Sequence, residues 1–142
     1  MMKKAAFLFL VIMMVACSSG ARKSAVKPLY EILTRQSDGG ANIRFYEILT
    51  EAKEIKMLEN DENLRKKIKP GDIDTANFVI LNVGERISGG YSIKVKSVVE
   101  TADKILMTVE ETEPKTVEMV TEVISYPYVI VKINSKKPIE IQ

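Results

Sequence analysis

From Asn77 onward, apolar and polar residues alternate with a period of two. The runs are NFVILNV (77–83), YSIKVKSVV (91–99), DKILMTVEE (103–111), TVEMVTEVIS (116–125), YVIVKIN (128–134) and a short PIEI (138–141). In the second run Tyr91, Ile93 and Val95 share one face, and Ser92, Lys94 and Lys96 the other. That is the pattern of a strand with one face buried and one wet. Upstream, LYEILT (29–34) and IRFYEILT (43–50) read as two more strands. Asp38-Gly39-Gly40 between them is hairpin-turn chemistry, which predicts that the two pair with each other. From Thr50 to Pro70 the period is helical. Ile55, Leu58, Leu64 and Ile68 mark an apolar side that Asn60-Asp61-Glu62-Asn63 interrupts. One bent helix or two short ones fit, with Thr50 as the first cap, Asn60 or Asp61 as a second, and Pro70-Gly71 as the stop. Many short strands with one helical interruption predict a mainly β fold: an antiparallel β-sandwich or partly closed barrel with one helical insertion near the N-terminal side.

The first 28 residues stand outside that domain. Lys3-Lys4 precedes AAFLFLVIMMVA (5–16), an apolar block shorter than the roughly 20 residues of a transmembrane helix. A basic start, a short apolar centre and a small residue at the end match an export signal over residues 1–16. Met14-Val15-Ala16-Cys17 resembles a bacterial lipobox with Met in place of the usual Leu, which makes Cys17 the expected lipidation site. More than one acyl chain is needed for durable anchoring, each buried CH₂ contributing about 0.8 kcal/mol. Residues 17–28 lack apolar periodicity and read as a tether, leaving 29–142 as one β domain. A cell-envelope lipoprotein is the expectation. Ser18 supplies no acidic residue after the cysteine, which favours an outer membrane where two membranes exist.

Charge and chemistry narrow the function further. Two of the 21 Lys+Arg lie in the leader and none of the 19 Asp+Glu does, so the mature side chains balance and give no general attraction for nucleic acid. The basic run Arg65-Lys66-Lys67-Ile68-Lys69 reads as a solvated helix end. The chain has no histidine and a single cysteine, so Ser-His-Asp and Cys-His catalysis, His-based zinc sites and an internal disulfide are all ruled out. No phosphate-binding glycine loop or calcium-loop spacing occurs. Glu110, Glu111 and Glu113 read as a solvated strand edge rather than an acid–base pair. No catalytic residue, cofactor or metal is expected, and the absence of Trp leaves no aromatic platform for sugars. A non-enzymatic binding protein is the expectation.

Two features remain. Gly89-Gly90 stand at a strand entrance, where they serve either a tight connection or a close approach by another group. Tyr126-Pro127 joins an aromatic ring to the residue type that accounts for nearly all cis peptides. The contact surface they suggest consists of Ser88, Gly89, Gly90 and Tyr91, joined by Tyr126 and Tyr128.

The stretch Gly84-Glu85-Arg86-Ile87-Ser88-Gly89-Gly90-Tyr91-Ser92-Ile93 resembles the G-x-R-x-T-G-G-Y-x-I signature of the PrcB C-terminal domain family. Ser88 stands where Thr is usual and Ile87 where Pro is common. Glu111-Thr112-Glu113-Pro114 and Ser125-Tyr126-Pro127-Tyr128 followed by VIVKI fit the later landmarks in order, so the likeness spans about 77–133. The resemblance implies a non-catalytic lipoprotein module that binds or stabilises a protein partner, with a protease or protease-complex subunit as the implied partner class. The Gly-Gly-Tyr loop is also similar to the T-G-Y loop of chagasin-type peptidase inhibitors, which implies as an alternative direct inhibition through residues 88–91.

Overall fold

The computed structural model describes residues 26–115 and 120–142. The export signal, Cys17, most of the tether, and the first part of the expected strand at 116–125 lie outside them. Seven strands form two sheets: β1 (Tyr30–Gln36), β2 (Phe45–Leu49), β3 (Asn77–Asn82), β4 (Ser92–Glu100), β5 (Ile105–Thr112), β6 (Tyr128–Ile133) and β7 (Ile139–Ile141). The order is β1-β6-β3-β2 in one sheet and β4-β5-β7 in the other. This is a mainly β, two-sheet sandwich without a closed barrel.

Alternation along the central strands builds two cores. Val79, Leu81, Val129, Val131 and Ile133 point between the sheets and meet Ile93, Ile105 and Met107. Phe78 and Ile130 point the other way, onto Ile55, Leu58, Leu64 and Ile68 of the helical segment. Strands buried on both faces must lie centrally in a sheet, which is why β3 and β6 read as nearly continuous apolar runs. The result is three layers: helices, a four-stranded sheet, and a three-stranded sheet.

The helical segment resolves into α1 (Ala52–Leu58), α2 (Glu62–Arg65) and α3 (Asp72–Thr75), so the two-helix reading holds and a third helical turn follows Pro70-Gly71. Asp61 is the second cap, its carboxylate accepting from the Asn63 and Leu64 amides at 2.7 and 3.2 Å. The first cap is Glu51, not Thr50. Glu54 reaches back to accept from the Thr50 and Glu51 amides at 3.0 and 3.1 Å, half of a capping box. Asp72 was concealed by the Pro-Gly before it. Its carboxylate accepts from the Lys69 amide at 2.8 Å and receives the Lys132 ammonium at 2.9 Å, and this buried pair holds α3 against the sheet.

Three further expectations are corrected. β1 and β2 do not pair; they are the two edges of the four-stranded sheet. The Asp-Gly-Gly connection reverses the chain but carries it across the ends of β6 and β3, with Gly40 N donating to Tyr126 O at 2.9 Å. Both flanking strands have wet positions, whereas β3 and β6 have almost none, so burial outranks the turn signal. The described part of the run at 116–125 is not a strand; its one β-bridge is the antiparallel pair Arg86 to Ser125. The sandwich is not wholly antiparallel either, because β7 runs parallel to β5. The chain passes through β6 in the opposite sheet before returning, the long crossover a parallel pair requires. Finally, no cis peptide occurs among the described residues, so Tyr126-Pro127 is trans.

Candidate loop-end binding site

The loop at 84–91 and the segment at 120–126 meet at one end of the sandwich. Arg86 and Ser125 exchange backbone hydrogen bonds at 2.8 and 2.9 Å, Gly89 N donates to Thr121 O at 3.0 Å, and the Ser125 hydroxyl donates to Ser88 O at 2.7 Å. This answers why two glycines stand there. A Cβ on Gly89 would collide with the Thr121 hydroxyl. Gly90 has φ +87°, and a Cβ there would lie 2.7 Å from Pro114 Cβ. The pair lets Pro114, Val120 and Thr121 of the chain itself approach closely, the use glycine is suited to.

Of the residues expected to form a contact surface, five gather here. Ser88, Gly89, Gly90 and Tyr91 form the loop, and Tyr126 joins them from across the bridge, its hydroxyl donating to Glu85 at 2.9 Å. That carboxylate is the main cause of the raised Tyr126 pKa. Tyr128 does not join. It starts β6 on the opposite face and packs against the helix-side core, and burial is the main cause of its raised pKa.

Residues that the motif reading passed over give this end its character. Ile87 is 82% exposed and Val123 67%, and Val120, Ile124 and Ile43 are exposed as well. Ile43 belongs to the adjoining connection, whose Asn42 carbonyl accepts from Glu85 N at 2.9 Å. Five aliphatic side chains on three neighbouring segments of one end stand apart from the scattered apolar exposure of an ordinary surface. Ile87, Val123 and Ile124 are β-branched residues beside turns in the sequence, but only the fold shows that they face solvent.

Beneath this end, Glu111 closes the inter-sheet core. It shares inward parity with Ile105, Met107 and Val109, and so is no solvated edge; Glu110 is the surface carboxylate, paired with Lys94 at 2.8 Å. Glu111 Oε1 accepts from Arg44 Nε at 2.7 Å and from the Tyr46 hydroxyl at 2.6 Å, while Arg86 lies 3.7 Å from Oε2. The Arg44 guanidinium sits over the Tyr46 ring at 4.6 Å, and Arg86 over Tyr91 at 5.5 Å, both within cation–π range. Burial alone would raise the Glu111 carboxyl; Tyr46, Arg44 and Arg86 outweigh it and hold it below the usual carboxylate range. Burial, then Glu111, pushes the Tyr46 phenol to about 12, so it remains a donor near neutrality.

A depressed folded pKa stabilises above the unfolded value and loses that contribution as pH falls through the folded one. Glu111→Gln should therefore unfold about 1–3 kcal/mol more easily at neutral pH. Its deficit against wild type should shrink progressively in acid. Urea midpoints measured across the acid range check this, and a deficit that does not change with pH would remove charge from the explanation.

A β-sandwich flanked by helices thus carries at one end a self-covered glycine loop and exposed aliphatic tips. Residues 77–134 match the family described as PrcB C-terminal, confirming the resemblance read from the motifs. An uncharacterized protein of Methanocaldococcus jannaschii is 31% identical over 67 residues, 47% of this chain and 40% of its own length. The chain thus matches less than half the length of that relative. No solved structure matches. The family segment contains β3 to β6 and the bridge between loops. Arg44, Tyr46, Ile43 and the helices lie outside it.

Proposed function

We propose that this chain is a lipid-anchored, non-catalytic binding subunit of the cell envelope whose loop end docks a protein partner, a protease or a subunit of a protease complex. The observation that carries the reading is the set of aliphatic tips, Ile43, Ile87, Val120, Val123 and Ile124, on a base tied by backbone hydrogen bonds. An apolar centre bordered by Arg86, Glu85 and Tyr126 has the composition of a protein-binding patch, with aromatic and Arg side chains at the margin. Direct peptidase inhibition is less well supported. Insertion into a cleft needs a freely projecting loop, and Gly89-Gly90 lie against Thr121 and Pro114. Anchoring through Cys17 rests on the lipobox.

A photo-crosslinking residue at Ile87 should capture a membrane-associated protein, whereas one at Val99, exposed on the strand of the other sheet, should not. Ile87→Asp with Val123→Asp should reduce capture at least about tenfold, the scale of one or two lost apolar anchors, while the thermal unfolding curve is unchanged. Equal capture at both positions, or by the double variant, would reject the loop end. In the same cells Cys17→Ala should abolish fatty-acid labelling and release the chain from membranes, and persistent label would reject the anchor alone.

A further inference from the structure

We infer that the free edge of β2 is a second docking site, which takes an extended peptide by strand addition and prefers an apolar side chain with a basic one two positions to either side. This site is distinct from the loop end and does not depend on it.

Unpaired strand edges invite other strands, and folded proteins usually blunt them. Among the described residues the two sheets have four edges, and three of them are blunted. β1 carries a bulge at Leu33, β4 a bulge at Lys96 together with the surface lysines Lys94 and Lys96, and β7 is three residues long. β2 has none of these devices. FYEIL pairs with β3 in unbroken register from Phe45↔Asn82 to Leu49↔Phe78, contains no Pro, Gly or Lys, and has no strand on its other side among the described residues.

Beside that edge, α1 and the sheet border a cavity of about 270 Å³ lined by Leu49, Met57, Leu58, Ile80, Glu47 and Glu54. Its floor is apolar and its rim acidic. Met57 is 64% exposed, although it lies on a helix whose neighbours Ile55 and Leu58 are buried. A strand laid along β2 would satisfy the outward backbone groups, and its alternate side chains would point toward this cavity, the arrangement by which strand addition combines affinity with selectivity. Glu47 and Glu54 select the occupant: a large apolar residue for the floor, with Lys or Arg two positions away on the same face of the added strand for the rim. They also disfavour a second copy of this chain, because antiparallel pairing of β2 with itself about its centre sets Glu47 against Glu47.

The test uses the detergent-solubilised full chain and a fluorescent acetyl-TKTLTKT-amide peptide, whose Leu and two Lys share one face of a strand, read by anisotropy. Binding is expected. TETLTET should bind at least about tenfold more weakly, and TKTLTKT with alternate N-methylated amides should not bind, because its backbone donors are blocked. Glu47→Lys and Met57→Lys, both at exposed positions, should each weaken binding about tenfold or more; Ile87→Asp at the loop end should leave it unchanged. Hydrogen exchange should slow at residues 45–49 on binding. The inference is overturned by no binding up to about 1 mM, by equal affinity of the N-methylated peptide, by insensitivity to both lysine variants, or by protection at another edge. Loss of binding in Ile87→Asp alone would reassign the peptide to the loop end.

Discussion

Lys132→Met is expected to lower stability by about 3–5 kcal/mol at neutral pH, the cost of leaving one member of a buried ion pair alone. The Lys132 residue is 4% exposed and Asp72 1%, their charged atoms are 2.9 Å apart, and Glu31 adds a longer contact at 3.4 Å. Burial acts to raise the Asp72 carboxyl, but the Lys69 amide and Lys132 together hold it below its ordinary value. Its contribution is therefore present above the unfolded carboxylate pKa and lost as pH falls through the folded one. Without Lys132, burial faces less opposition, Asp72 protonates more readily, and the deficit of the variant should narrow in acid. Urea midpoints near neutrality and in mild acid give both numbers. A loss under about 1 kcal/mol, the scale of a surface pair, would show that this pair does not hold α3 in place.

The second large effect is expected at Asn82. Its amide receives Ala41 N at 3.0 Å and donates to Ala41 O at 3.0 Å and Ile43 O at 2.7 Å, so one side chain at the end of β3 clamps the connection that carries β2 to the far edge. Asn82→Leu keeps the volume and removes all three bonds. A loss of about 3 kcal/mol follows if the freed backbone groups are incompletely hydrated, at about 1–3 kcal/mol for each buried group left unpaired. Proteolysis should then appear within residues 37–44 before global unfolding. Unchanged resistance there would mean that the turn holds itself, with the glycine contacts sufficient. Gly84 belongs to the same clamp: at φ +87°, with a Cβ that would lie 2.8 Å from Arg44 N, it has no room for a side chain.

How much was legible beforehand depended on the distance over which each decision is made. The strand entrance at 91–95 is readable because each residue's face follows from its neighbours two positions away, and Ile93 and Val95 turn inward as expected. Past the bulge at Lys96 the parity flips and Val98 takes the inward place. Asp61 was readable as a cap because its bonds span only two and three residues. The partner of β1 was not, since β6 lies far along the chain and the nearer turn chemistry pointed to β2. The loop-end surface was half visible. Ser88 to Tyr91 and Tyr126 were recognised, but Ile43, Val120, Val123 and Ile124 acquire meaning only when three separate segments meet. Glu111 was misread because its neighbour Glu110 is solvated, and strand parity decides between them only once the buried face is known.

The sequence by itself therefore determined the local elements: periodic strands, helix caps, the breaks at glycine and proline, and the lack of histidine chemistry. These depend on backbone sterics and on neighbours within a few residues. Only the tertiary structure decided which strands are central, that Lys132 and Asp72 neutralise each other, that the glycine pair faces its own chain, and which apolar side chains are left in water. Each of those outcomes is a competition for burial among residues far apart in the chain, and burial is a property of the assembled layers.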